Sequence, residues 1–235
     1  GDFCSDIVVD YFQRYTAKVV ETLGDLVPKW ITLNEPMVYV FMRYLSEDFP
    51  APNQRGMKAG FAAVRHLLSC HASAYHTIKA SYPEAQAGVA KNMPVFQAAP
   101  GSSAVTKWWA KRVDWLFNES WFESMETGKV KRPFGGGTIK NLAGTHDFIG
   151  LNYYTRFYVK FPPGKDFVSH DWGDEAVVSD GNYGEVYPAG LYQMIKRVNK
   201  YNKPIYITEN GLPDQADKMR PAFLMTHLRE VWRAI

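Results

Sequence analysis

Four short apolar runs, each cut off by a polar cluster, constrain this chain more than any other feature: Lys29 to Asn34, Ala87 to Asn92, Asp147 to Tyr154 and Pro204 to Asn210. Runs of that length and character read as strands buried on both faces. Helical patterns lie between them. The clearest spans Met57 to Ile78, where Phe61, Val64, Leu67, Leu68, His71, Ala74, Tyr75 and Ile78 recur at spacings of three and four and form one apolar stripe. Further helices are expected at Asp6 to Leu23, Val105 to Glu126, Pro188 to Tyr201 and Asp217 to Ala234, with Gly24 and Gly128 at stop positions. Alternating helix and strand call for an α/β architecture with parallel strands and right-handed crossovers.

The strands start roughly 58 residues apart, against about 31 for a minimal (β/α)8 unit, so long loops decorate the strand ends. The longest, Arg156 to Tyr187, carries turn signals at Pro162-Pro163-Gly164, Trp172-Gly173 and Asp180-Gly181 around β-like pieces at Phe157–Val159 and Ala176–Val178. It is either a hairpin-bearing insertion on the functional face or a plain surface excursion. No repeat, low-complexity tract or interdomain linker is visible, so residues 1–235 are expected to form a single domain.

Composition narrows the partners. Lys and Arg number 27 against 24 Asp and Glu, and the two signs are mixed along the chain, which argues against nucleic acid or an acidic lipid surface. There is no apolar run of about 18 residues, and Gly1 to Asp6 lacks a basic start followed by an apolar core, so neither a membrane span nor a secretory leader is expected. Cys4 and Cys70 are too few for a disulfide framework, and a reducing cytoplasm is the expected location. His66 with Cys70 and His71 with Tyr75 have ligand-like spacing, but nothing completes a four-ligand set, so no metal is expected and His71 reads as a satisfied core histidine. Lys107 to Trp115 interleaves bases with aromatics and reads as an amphipathic helix with snorkelling cations.

Two glutamates end predicted strands: Glu35 in Thr32-Leu33-Asn34-Glu35-Pro36 and Glu209 in Ile207-Thr208-Glu209-Asn210-Gly211. Strand ends form the functional face of parallel α/β proteins, and carboxylates are poor strand residues that are seldom buried without a partner. Pro36 stops one strand directly after its acid, and Gly211 stops the other, two residues after its acid. A pair of carboxyls suits glycoside hydrolysis, whose oxocarbenium-like transition state needs an acid at the leaving oxygen and an anion on the opposite side. Trp172 and Tyr183 in the long loop either stack on sugar or pack the loop.

Phe12 to Tyr15, Gly24-Asp25, Trp30 to Pro36, Asp147 to Thr155, Ile207 to Gly211 and His227-Leu228 together resemble family 1 of the glycoside hydrolases, the β-glucosidase and β-galactosidase family, across essentially the whole chain. The resemblance implies a TIM (β/α)8 barrel of which this chain supplies strands four to seven and their helices. It implies Glu35 as general acid/base, Glu209 as nucleophile, Asn34 as partner of the sugar 2-hydroxyl, Tyr154 as the tyrosine that holds the nucleophile, and Asn152 as a residue projecting into the same site. The substrate expected is a small β-glycoside or oligosaccharide cleaved with retention, without cofactor. The family's strands one to three would precede Gly1 and its strand eight would follow Ile235. A half-barrel exposes two strand edges and an apolar face, so complementary barrel segments or a homo-oligomer mate are expected to cover them. The alternative is a catalytically silent sugar-binding or assembly fragment.

Overall fold

The computed structural model describes residues 3–46, 49–50, 55–163 and 167–235; the turn signal at Gly164 lies outside the described residues. In chain order the elements are α1 (Val8–Leu23), β1 (Lys29–Asn34), α2 (Pro36–Val40), α3 (Met57–Ser81), β2 (Gln86–Asn92), β3 (Val95–Gln97), α4 (Ala104–Asp114), α5 (Ser120–Thr127), β4 (Phe148–Asn152), β5 (Arg156–Val159), β6 (Val168–Ser169), α6 (Pro188–Val198), β7 (Ile205–Glu209) and α7 (Arg220–Ala234). The four strands read from the sequence are β1, β2, β4 and β7. They alternate with helices, as an α/β chain requires. Two compact units are present, one made of the residues through Lys91 with Ser120–Gly150, the other of Asn92–Glu119 with Leu151–Ile235. Among the described residues no helix is long and apolar enough to cross a membrane.

In the first unit β1 and β2 run parallel, Lys29 opposite Gln86, and β2 lies beside the opening residues of β4. The apolar stripe of α3 is the core of this unit: Val64, Leu67, Leu68, Ala74 and Ile78 are buried. Two polar ties fix the helix. Tyr75 donates to Asp147 at 2.8 Å, and the same carboxylate accepts the Ala87 N–H at 2.8 Å and pairs with Lys79 at 2.7 Å. Burial alone would raise the Asp147 pKa, but these three partners outweigh it and hold the carboxyl below its usual range. His71, fully buried, sits between Thr32 Oγ1 of β1 at 2.6 Å and the Thr145 carbonyl at 2.7 Å. The Thr145 carbonyl can only accept, so Nε2 carries the proton and Nδ1 accepts from Thr32.

Gly24 ends α1, but not as expected. Its φ is −62°, right-handed, and a Cβ there would lie 2.0 Å from the Tyr82 ring. Glycine is required by close approach, not by a left-handed turn. Gly128, with φ +70°, does supply the left-handed stop.

In the second unit the end of β4 lies beside β7, while β5 pairs parallel with β3 and antiparallel with β6. The helix expected over Val105 to Glu126 is interrupted by a π turn at Trp115–Glu119. Contacts explain the interruption. Asn118 donates to the Pro94 carbonyl and to Asp114, both at 2.8 Å. Buried Glu119 accepts from Arg197 Nε at 2.7 Å and from Lys200 and Tyr201. Desolvation raises the Glu119 pKa, yet these donors outweigh it and leave it lowered. The wide turn delivers both side chains to their partners at the cost of helical regularity. The helix expected from Asp217 begins instead at Arg220, because Asp217 takes a left-handed φ of 52° and Asp214 accepts the N–H groups of Met219 and Arg220 at 2.7 and 2.9 Å.

Burial lowers the pKa of His71 from 6.5 to about 3. Between those values the unfolded chain binds a proton that the folded chain does not, so stability falls as pH drops through that window. His71→Gln keeps a donor and an acceptor but cannot titrate. Urea midpoints measured from pH 7 to pH 4 should therefore decline less steeply in the variant than in the parent.

Candidate active site

Glu35 stands directly after β1. Pro36 bars it from the right-handed helical region, and the chain must turn at once into α2, so Glu35 adopts φ 46°, ψ 53°. A left-handed non-glycine residue costs roughly 1 kcal/mol and persists only where its surroundings fix it. Here they do: the Glu35 N–H donates to the Ala90 carbonyl at 2.8 Å, and its own carbonyl accepts from Tyr39 at 3.0 Å. Its side chain is half-buried and that of Asn34 is exposed. Strict alternation would send Asn34 toward α3 along with Thr32, but the ladder shifts register between Ile31 and Asn34 and releases it from that parity.

The second unit gathers Asn152, Tyr154 and Glu209. Tyr154 donates its phenol O–H to Glu209 Oε2, and Thr208 Oγ1 donates to Asn152 Oδ1 at 2.5 Å. The Tyr153 N–H donates to the Glu209 carbonyl at 3.0 Å, and Asn210 Nδ2 donates to the Tyr153 carbonyl at 2.7 Å. Residues 208, 209 and 210 are each bonded to a residue of 152–154. The phenol engages one oxygen of the Glu209 carboxylate, a geometry suited to a carboxylate that must present its other oxygen to a substrate atom.

The five expected site residues thus fall into two groups, Asn34 with Glu35 in the first unit and Asn152, Tyr154 and Glu209 in the second. Sequence reasoning overlooked Thr208 and Asn210, although both sit in the motif that drew attention to Glu209. It also overlooked the anchor of the long loop: Arg156 meets Glu185 through Nε at 2.5 Å and Nη2 at 2.9 Å, and its guanidinium lies 4.1 Å from the Tyr187 ring centroid. Burial opposes the Arg156 charge, and the bidentate carboxylate more than restores it. The two loop aromatics separate cleanly. Trp172 is buried, donates Nε1 to the Arg156 carbonyl at 2.9 Å and packs on Phe157 and His170, so it holds the loop. Tyr183 is 47% exposed and meets the Tyr154 ring edge-on at 6.0 Å. Among the described residues no group of three or more His, Cys, Asp or Glu is placed to hold a metal ion.

A sequence profile of glycosyl hydrolase family 1 matches residues 1–235. The chain belongs to glycosyl hydrolase family 1. A β-galactosidase of Pyrococcus woesei is 32% identical over 95% of the chain and 50% of its own length. A β-glucosidase A of Thermotoga maritima is 30% identical over 100% of the chain and 57% of its own length. Among solved structures, a β-glycosidase from Pyrococcus horikoshii superimposes with a TM-score of 0.85 at 32% identity, covering 100% of the chain and 54% of that protein. The fold is that of a partial family 1 barrel, and the chain spans about half the length of the curated relatives it matches.

In this family 1 chain the long loop returns to the site through Gly184, where a Cβ would lie 2.8 Å from Thr155 Cβ and Oγ1. Gly184→Ala should destabilise the chain by about 1–3 kcal/mol, the usual range for overpacking. Limited proteolysis should locate the first cuts within the loop; cleavage unchanged from the parent would show that Thr155 yields freely.

Proposed function

We propose that this chain carries the reacting carboxylates of a retaining β-glycosidase acting on terminal β-glucosides or β-galactosides. The observation that carries the reading is the hydrogen bond from Tyr154 to Glu209 at the end of β7, in a chain whose relatives are named β-galactosidase and β-glucosidase. Glu209 attacks the anomeric carbon while Glu35, in its acid form, protonates the leaving oxygen. Glu35, now a carboxylate, then takes a proton from water as water displaces Glu209, and the original acid is regenerated. Asn34 binds the sugar 2-hydroxyl, Tyr154 keeps the nucleophile in line, and Asn152 projects into the nucleophile's site. Two carboxyls and water suffice for this double displacement, which calls on no cofactor.

The same reading makes residues 1–235 one part of an eight-stranded barrel, contributing strands four to seven. In the first unit, Tyr15 of α1 is 66% exposed and Ile31 of the edge strand β1 is 47% exposed. In the second, α7 presents Met225, Leu228 and, at 77% exposure, Trp232. Apolar side chains so placed suit coverage by complementary barrel segments. Cys4 and Cys70 are both unpaired, which suits a reducing compartment such as the cytoplasm.

Incubation with an activated 2-deoxy-2-fluoro-β-glucoside should label Glu209; label on another residue overturns the assignment of the nucleophile. Glu209→Ala should abolish turnover, whereas Glu35→Ala should retain activity on substrates with good leaving groups and respond to azide. Equal, unrescued loss in both variants would sink the division of roles.

A further inference from the structure

The hairpin tip around Tyr183 lies along the link from β4 into β5, residues 154–156, in three successive contacts. The Tyr183 ring meets the Tyr154 ring edge-on at 6.0 Å and 84°. Gly184 meets Thr155 so closely that no Cβ fits, and Thr155 Oγ1 donates to the Glu185 carbonyl at 2.9 Å. The Glu185 carboxylate then grips Arg156. The tip is closed on itself by Ser179, whose N–H and Oγ both donate to the Gly184 carbonyl at 3.0 Å, and its flanks pair through Val178 and Glu185. It is also tied to the segment that follows Glu209: the Asp180 N–H donates to the Pro213 carbonyl at 3.2 Å, and Asp180 Oδ2 accepts the Gln215 N–H at 2.7 Å.

These contacts have a common geometric result. Tyr154 orients Glu209 by a single hydroxyl, and a phenol on a single-bonded pivot points its hydroxyl well only if its ring is held. β4 ends at Asn152, so the strand ladder does not extend to Tyr154. The edge-on Tyr183 ring, mounted on a loop anchored to both segments of the site, supplies a wall against which the Tyr154 ring rests. We propose that Tyr183 is a positioning residue for the nucleophile, acting on Glu209 through the ring of Tyr154. Its own hydroxyl takes no part; the ring does. The inference rests on the reading of Glu209 as nucleophile given above.

The test is the rate at which the full chain, in the form that turns over β-glucosides, is labelled at Glu209 by 2,4-dinitrophenyl 2-deoxy-2-fluoro-β-glucoside. Tyr183→Ala should lower the maximal labelling rate about tenfold, as loss of orientation does, with the half-saturating concentration nearly unchanged. Tyr183→Phe keeps the ring and should label within about twofold of the parent, since one edge-on ring replaces another. In a Tyr154→Phe background, Tyr183→Ala should add nothing further, because the hydroxyl it aims is already gone. A Tyr183→Ala rate equal to that of the parent, a loss in Tyr183→Phe equal to that in Tyr183→Ala, or strict additivity with Tyr154→Phe each overturns the inference while leaving the nucleophile in place. Absence of Glu209 labelling in the parent overturns the underlying reading, and the inference with it.

Discussion

The hydrogen bond from the Tyr153 N–H to the Glu209 carbonyl is the contact on which the second unit's site depends. It sets which residues of the two segments can meet. With Tyr153 facing Glu209, Asn152 reaches Thr208, Tyr154 reaches the Glu209 carboxylate and Asn210 reaches back to Tyr153. A slip of one residue would turn each side chain to the opposite face and dissolve all of these bonds together. Tyr153 itself is held from the other side, since its buried hydroxyl donates to the Tyr187 carbonyl at 2.6 Å. The loop that returns at Tyr187 and the strand that carries Glu209 are thereby referred to one residue.

The first unit solves the equivalent problem by other means. Glu35 is positioned by its backbone: a proline behind it, a left-handed turn at it, and one hydrogen bond to the neighbouring strand. The strain is local and modest, of order 1 kcal/mol, and the pairing of β1 with β2 together with the His71 tie to Thr32 is what keeps the segment from relaxing. One carboxyl is aimed by torsion and the other by a donor.

The principal strands and helices were legible because their signals are local. The β1 and β7 runs end at Pro36 and Gly211, and the α3 stripe repeats over many turns. The motifs around Glu35 and Glu209 were legible for the same reason, being contiguous. What could not be read was set by contacts between distant segments. The π turn at Trp115–Glu119 answers to Pro94 and Arg197, and β6, only two residues long, exists only because β5 lies beside it. Trp172 and Tyr183 occupy one loop and share an aromatic character, yet one is an anchor and the other a wall; only the position of Arg156 and Tyr154 distinguishes them.

The glycine that ends α1 shows how a familiar signal can have an unfamiliar cause. The Tyr82 ring and the Val20 carbonyl together occupy the place where any side chain at position 24 would go, 2.0 and 2.5 Å from an ideal Cβ. Trimming Tyr82 alone would not admit a helix-favouring residue at Gly24, because the Val20 carbonyl is backbone of α1 and cannot be pared away. Any side chain at position 24 would have to move the main chain at the end of α1, so the entry into β1 is held by its backbone path as well as by the ring packed on it.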